Sequence, residues 1–185
     1  MKRICIALVL CFLTGCSRAD DAMDRAISLR KRLLEGAGCS FSCRVTADYG
    51  KLQQQFSMDV EADAAGAVRF TVTAPDSIAG ITGGAGASGG KLTFDDTVLM
   101  FDMLADGELS PVSAPWILVK ALRSGNLRSA GTEGELMRIT LDDRYEADAF
   151  QVDIWLEDGE SPVRGDILRE GQRILCVEIE NFRIV

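Results

Sequence analysis

Cys16 is the residue whose surroundings most clearly specify a chemical modification. It follows residues 13–15 (Leu-Thr-Gly), which close a segment where Lys2 and Arg3 precede an apolar run at residues 4–12. A basic start, an apolar run and small residues at the cleavage point make a secretory signal, and a cysteine directly after them is typical of a bacterial lipoprotein. The run is too short to span a bilayer, which takes about 20 apolar residues. We therefore predict cleavage before Cys16 and acylation of its sulfur.

An acylated Cys16 would hold the chain at a membrane outside the cytoplasm. Acyl chains contribute about 0.8 kcal/mol per buried CH₂, so two or three of them on one residue anchor a domain almost permanently. An ordinary secretory signal or a buried apolar segment does not explain the position of the cysteine. We expect residues 1–15 to be the signal peptide, residues 16–22 the lipidated cysteine and a tether, and residues 23–185 a single domain. Which membrane carries it stays open.

Candidate catalytic groups are few. The chain has no histidine, which removes the commonest general base, the commonest zinc ligand and every nucleophile activated by an imidazole. The carboxylate pairs at residues 95–96 and 142–143 are of the type that acid and base catalysis uses. Both pairs directly follow strand patterns, where aspartate favours turns, and neither lies in a calcium-loop pattern. We predict no catalysis, no metal and no cofactor.

A glycine-rich stretch at residues 84–89 matches the spacing of a dinucleotide-binding fingerprint. The fingerprint requires a helix to follow, but residues 91–94 have a strand pattern instead, so we reject this interpretation. We predict a loop there, either a flap over a cavity mouth or an ordinary hairpin connection.

Three cysteines remain beyond the anchor: Cys39, Cys43 and Cys176. In one extended segment Cys39 and Cys43 would be about 13 Å apart, which is beyond disulfide reach. A bond from Cys176 to one of them and free buried thiols are both compatible with the sequence.

Charge limits the partners. The chain has a formal net charge of −8, and loss of Lys2 and Arg3 with the signal takes it to −8 − 2 = −10. A surface of this sign repels phosphates, so we predict no nucleic-acid partner.

The elements that position these residues begin with a helix. Residues 23–34 repeat apolar side chains at helical spacing, with Asp20 or Asp21 able to cap the start and Gly36 able to end it. The basic cluster at residues 30–32 suits the negative end of the helix dipole, or alternatively lipid headgroups beside the anchor.

Most of the remaining chain has strand periodicity. Residues 41–49 alternate apolar and polar side chains, and the alternation recurs at residues 52–62, 68–72, 92–94, 98–101, 137–141, 152–156, 163–167 and 177–179. Tight turns are predicted at residues 158–159 and 170–171.

One segment departs from this strand periodicity. Residues 113–123 predict a short helix. Ser113 can cap its start, Pro115 is tolerated in its first turn, and Gly125 ends it. Because this helix is apolar on nearly all sides, other elements must cover it. The sequence therefore predicts an α+β fold, mostly antiparallel β, in which a curved open half-barrel sheet wraps around the N-terminal helix and this inserted apolar helix.

With its lipoprotein signal, this order of elements resembles the LolA/LolB-like lipoprotein carrier superfamily over nearly the whole mature chain. Residues 47–50, 75–83 and 111–116 are more specifically similar to an uncharacterised lipoprotein group of Firmicutes. The resemblance implies an open, strongly curved sheet around helices with an apolar hollow, which holds acyl chains in carriers. It brings no catalytic residues.

These observations lead to two functional hypotheses. The first is a membrane-anchored extracytoplasmic protein that binds a lipid or other hydrophobic ligand in the half-barrel. We predict that its cavity is lined by Phe56, Met58, Phe70, Val72, Met137, Ile139 and Ile154.

The second hypothesis is a cell-envelope scaffold that docks a protein partner, such as a cell-wall enzyme, and binds no ligand. Its contact surface would be an exposed apolar patch around Trp155 or the loop at residues 81–90. Trp155 shares a strand face with Gln151, Asp153 and Glu157, which favours an exposed position.

Overall fold

The structure is a computed structural model that describes residues 16–50, 53–87, 89–94, 97–101, 104–105, 108–143 and 150–185. The predicted signal peptide lies outside this range. The helices are α1 (Cys16–Glu35) and α2 (Ala114–Ser124), and a 3₁₀ turn (Pro111–Ser113) precedes α2. The strands are β1 (Gly38–Asp48), β2 (Gln53–Asp63), β3 (Val68–Ala74), β4 (Thr82–Gly86), β5 (Gly89–Phe94), β6 (Thr97–Phe101), β7 (Leu104–Ala105), β8 (Glu108–Leu109), β9 (Asn126–Glu133), β10 (Leu136–Asp142), β11 (Gln151–Glu157), β12 (Ser161–Arg169) and β13 (Gln172–Ile184).

Eleven of these strands form one antiparallel sheet in the order β6-β5-β4-β3-β2-β1-β13-β12-β11-β10-β9, and β7 pairs with β8 alone. The chain builds outward from β1 to β6, passes through α2, and fills the other half from β9 to β13, which ends beside β1. Within the described residues the sheet does not close, because β6 and β9 are free edges. The predicted α+β half-barrel is confirmed.

The sheet has two chemically different faces. Along β1, β2 and β3 every second side chain is buried, as the alternating sequence predicts. We call the side of these buried residues the inner face, and the opposite side the outer face. Helices α1 and α2 pack on the inner face: α1 lies against β9 and β1, and α2 lies against β2, β10 and β13.

The second helix occupies the centre of the core. Eight of its residues are buried, including Trp116, Ile117 and Leu118, which confirms that an apolar helix is covered by other elements. A Cβ atom on Gly165 of β12 would lie only 2.1 Å from Cδ1 of Leu118. The absence of a side chain at Gly165 therefore allows α2 to approach the sheet.

Two arginines join the helices at their C-terminal ends. The Arg30 guanidinium of α1 donates to the main-chain oxygens of Leu122 (2.8 Å), Ala121 (3.2 Å) and Gly125 (2.7 Å), where α2 ends. In return Arg123 of α2 donates to the oxygen of Leu33, near the end of α1, at 2.6 Å. Carbonyls in the last helical turn lack intrahelical partners, so each arginine satisfies groups that the other helix leaves open, and Arg30 shares the Ala121 oxygen with the amide of Gly125.

We call this pair of contacts the arginine clasp. It removes Arg30 from the basic cluster that could face lipid headgroups, whereas Lys31 and Arg32 stay on the surface. Arg32 pairs with Glu160 at 3.0 Å, and Lys31 pairs with Glu35 at 3.8 Å.

The first helix starts earlier than predicted. It begins at Cys16, so residues 16–22 form its first turns, and an aspartate cap at residue 20 or 21 does not apply. The segment contains no glycine or proline, and Ala22 and Ala26 begin the buried stripe that Leu29 and Leu33 continue.

The described structure contains four strands that the sequence did not predict, namely β4, β9 and the short pair β7 and β8. Residues 84–86 of the glycine-rich stretch predicted as a loop belong to β4, which pairs with β3 and forms a hairpin with β5. The polar segment Asn126–Glu133 forms β9, which pairs with β10. Ser113 precedes α2 as predicted, but it makes no side-chain cap, and its buried Oγ has no hydrogen-bond partner in the described part of the chain.

The three cysteines beyond Cys16 are free thiols. Cys39 and Cys43 are buried, whereas Cys176 is half-buried on β13 and paired in register with Asp166. Burial raises the pKa of Cys39 to about 11, that of Cys43 to about 12 and that of Cys176 to about 11. The thiolate is the nucleophilic form, so these cysteines are unreactive packing residues at neutral pH.

Candidate functional site

The side chains predicted to line a hollow are all buried in the core. They are Phe56, Met58, Phe70, Val72, Met137, Ile139 and Ile154. The strands that carry them include β2 and β10, on which α2 packs. A ligand-lining role for the set stays a prediction. Phe70 and Val72 lie on β3, the strand of the set closest to the free edge β6.

The inner face becomes exposed toward that edge. One row of paired positions crosses four strands from Phe70 through Gly83 and Leu92 to Leu99. Exposure rises along the row from 3% at Phe70 to 61% at Leu99, with Leu92 partly buried against the core. Phe94, on the same face of β5, is 53% exposed. We call Leu92, Phe94 and Leu99 the apolar lip.

The edge strand β6 is apolar on its outer side as well. Val98 and Met100, which alternate with Leu99, are 58% and 70% exposed. In the described sheet β6 pairs on one side only, with β5. Exposed apolar side chains on an unpaired edge mark a place where another molecule can bind.

A polar groove of about 780 Å³ lies on the outer face across β13 and β1 to β5. One row of paired positions contributes Arg183, Ser40, Glu61, Arg69 and Lys91 to its lining, and Gly84 lies in the same row between Arg69 and Lys91. The neighbouring row contains Thr71, Thr82 and Thr93. The groove thus combines charged groups with a ladder of hydroxyls.

Trp155 is on the outer face, as its neighbours predicted, but it is half-buried rather than an exposed contact patch. Its ring lies between the guanidinium carbons of Arg138 and Arg164, which are 5.2 Å and 4.7 Å from the ring centroid. These arginines pair with Asp153 at 2.6 Å and with Asp166 at 2.7 Å. The side chains around Trp155 therefore pair with each other across β10, β11 and β12, except that the buried Nε of Arg138 has no hydrogen-bond partner among the described residues.

A smaller groove of about 370 Å³ lies nearby on β9 and β10 and includes Glu133 and Arg138. These two residues pair with each other at 3.2 Å.

The carboxylates at residues 142–143 have structural partners. Asp143 is buried, pairs with Lys120 at 3.2 Å and accepts a 2.7 Å hydrogen bond from the amide of Phe150. Asp142 pairs with Arg128 at 3.4 Å. The pair at residues 95–96 lies outside the described residues. In the part that is described, no cluster of three His, Cys, Asp or Glu side chains is arranged for a metal ion.

The structure singles out two sets of residues that sequence reasoning did not assign to a site. The residues of the apolar lip stand out in the sequence as alternating apolar residues. Only the order of the strands shows that they lie near the free edge of the sheet, away from the helices. Arg69, Lys91 and Arg183 were visible as outward-facing residues, but the pairing of strands brings them into one groove. Among the described residues, neither helix is long and apolar enough to cross a bilayer.

The solved structures to which the chain is similar share little sequence with it. The chain is similar to an uncharacterized conserved protein from Thermus thermophilus (14% identity, 86% of this chain and 87% of that one, TM-score 0.48). It is also similar to a LolA superfamily protein from Nitrosomonas europaea (8%, 86% and 93%, 0.44) and to the lipoprotein LppX from Mycobacterium tuberculosis (14%, 88% and 93%, 0.42). No family model and no curated protein matches the chain. At this level of similarity no function transfers to the chain.

Proposed function

We propose that this protein is an extracytoplasmic, non-catalytic lipoprotein, anchored through Cys16, that binds a lipid or another hydrophobic ligand at the apolar lip. The observation that carries the proposal is the uncovered inner face of β5 and β6. There Phe94 and Leu99 are more than half exposed, while Phe70 in the same sheet face is buried.

The energetics favour an apolar occupant. Burying a leucine or phenylalanine side chain fully contributes about 1.5–3 kcal/mol. A micromolar dissociation constant corresponds to a binding free energy of about 8 kcal/mol, and covering three partly exposed side chains would supply a substantial part of it. Because Leu92 continues the row toward Phe70, an acyl chain on the lip would extend the core rather than sit on an isolated patch. The predicted lining residues Phe70 and Val72 would then lie beneath its inner end.

We expect Leu99→Gln to weaken binding of a fatty acid or phospholipid about tenfold, because the change places an amide where the ligand buries apolar surface. The measurement is native mass spectrometry and fluorescent fatty-acid titration on residues 16–185 carrying Cys16→Ser.

Met100→Gln is the matched control. It lies on the same strand with similar exposure but points to the outer face. Equal affinities of wild type, Leu99→Gln and Met100→Gln, or no binding of any lipid, would contradict the ligand proposal.

A partner protein is the second candidate, and the free edge of β6 favours it. A partner strand could pair with the open main-chain groups of Thr97–Phe101 and bury Val98, Leu99 and Met100 together. In that case Met100→Gln and Leu99→Gln would impair binding equally, and cross-linking from β6 in cells would recover one dominant partner.

The anchor has a separate test. We expect cells to incorporate radioactive palmitate into the wild-type protein and not into Cys16→Ser, since the acyl chains need this sulfur. The variant should also leave the membrane fraction. Equal label in both proteins, or an unprocessed cytosolic product, would show that Cys16 is not the anchor. This result does not depend on whether the lip binds a ligand.

A further inference from the structure

Three basic side chains in the outer groove have no partner in the described structure. Arg69, Lys91 and Arg183 are exposed, and none makes an ion pair or a side-chain hydrogen bond with another described residue. The other basic side chains that the structure describes all have a partner. Acidic residues outnumber basic ones 28 to 20, so intramolecular partners are plentiful. The three exceptions therefore all lie in the same groove.

The groove has an open bay between two of these cations. Arg69 of β3 and Lys91 of β5 flank Gly84 of β4 in one row of paired positions. Neighbouring strands are about 4.8 Å apart, so the two basic residues start about 10 Å from each other. With no side chain at Gly84, both cations can reach toward the same point above the sheet.

Hydroxyl groups line one side of this bay. Thr71, Thr82 and Thr93 occupy the adjacent row on the same three strands. Each phosphate oxygen accepts hydrogen bonds, which threonine hydroxyls can donate. The negative charge of the phosphate group also favours Arg and Lys side chains as partners.

The carboxylates of the groove lie away from the bay. Asp59 and Glu61 are on β2, beyond Arg69 as seen from Gly84. Asp59 accepts a 2.7 Å hydrogen bond from the Ser42 hydroxyl. Glu61 is paired in register with Arg69, yet no ion pair forms between the two side chains. The Arg69 side chain can therefore contact a ligand that lies above Gly84.

We propose that the bay formed by Arg69, Gly84 and Lys91 binds a phosphate group, either free or in a lipid headgroup. The site is on the opposite side of the sheet from the apolar lip and does not depend on the proposed function. Because both cations are exposed, binding should weaken as salt concentration rises.

Titration with inorganic phosphate, followed by amide chemical shifts in two-dimensional NMR, tests the site. The protein is residues 16–185 with Cys16→Ser, and sodium chloride at matched ionic strength is the blank. We expect shifts centred on Thr82, Gly84 and Lys91, and an affinity at least about tenfold lower in the double variant Arg69→Gln/Lys91→Gln.

Two further variants control the result. Arg44→Gln removes one charge from the same face at a residue paired with Glu178 outside the groove, so phosphate affinity should stay unchanged. Gly84→Ala retains every charge but fills the floor of the bay, with its Cβ 3.1 Å from the oxygen of Val68, and should weaken binding. Circular dichroism verifies that each variant folds.

Vesicles distinguish the two sources of the phosphate. If phosphatidylglycerol vesicles bind the protein through Arg69 and Lys91 and inorganic phosphate gives no shifts, the ligand is a headgroup. If inorganic phosphate gives the expected shifts, the bay accepts the free ion. If neither probe binds, or if Arg44→Gln weakens binding as much as the double variant, the proposal is wrong.

Discussion

Gly165→Val is expected to lower the free energy of unfolding by about 3 kcal/mol, a large part of the total stability of a domain of this size. A Cβ at this position would lie 2.1 Å from Cδ1 of Leu118, a fully buried side chain in the middle of α2. Because the surrounding core is closely packed, either Leu118 must adopt another rotamer or α2 must move away from β12, and both disturb the packing. Urea denaturation followed by circular dichroism measures the change.

A matched glycine separates packing from strand propensity. A Cβ on Gly131 of β9 would meet nothing within 4 Å, so Gly131→Val should change stability by less than about 0.5 kcal/mol. Leu118→Ala combined with Gly165→Val should be less destabilising than the sum of the two single changes, because the shortened side chain vacates the space. Strict additivity would show that the two residues do not share this contact.

Arg30→Met is expected to lower the free energy of unfolding by about 2–3 kcal/mol. The change retains most of the aliphatic stem but removes the guanidinium that donates to three main-chain oxygens at the end of α2. Those carbonyls would be left without a charged partner in a partly buried position. Denaturation by urea, with the slope of the transition compared to exclude a change in the denatured state, measures the loss.

The neighbouring residue provides the control for the arginine clasp. Lys31→Met removes a charge from the same helix, but Lys31 is exposed and pairs only with Glu35 at 3.8 Å. We expect an effect below about 0.5 kcal/mol. Arg30→Lys should fall between the two, because an ammonium cannot bridge three oxygens as the planar guanidinium does. Equal losses in Arg30→Met and Lys31→Met would argue against the clasp.

The sequence predicted the parts of the fold that side-chain periodicity encodes. Alternation in β1 to β3, β10 and β11 assigned the inner and outer faces correctly, whereas a bulge in β12 leaves Val163 half-buried and buries Pro162 instead. The turns at residues 158–159 and 170–171 adopt the positive φ angles that such tight turns require, namely 51° at Asp158 and 53° at Glu170. An apolar segment with a proline in its first turn similarly identified α2.

Elements whose structure depends on contacts with other strands or helices could not be predicted from periodicity. β4 consists largely of glycine and small residues, so it has no periodic pattern, and its pairing depends on β3 and β5. The contacts of Arg30 lie more than 90 residues along the chain, and no local signal identifies them. The phosphate bay was likewise invisible, because it depends on which cations lack partners after strand pairing.

The pairing of β13 with β1 determines when the fold can be completed. Arg44 and Glu178, which bridge these strands, are 134 residues apart, whereas the other strands of the large sheet pair with near neighbours along the chain. Long-range closure of this kind slows folding. If the chain is exported N-terminus first, as its proposed anchor implies, β13 cannot pair with β1 until about the last thirteen residues have crossed the membrane. The two halves of the sheet would then join only when translocation is almost complete.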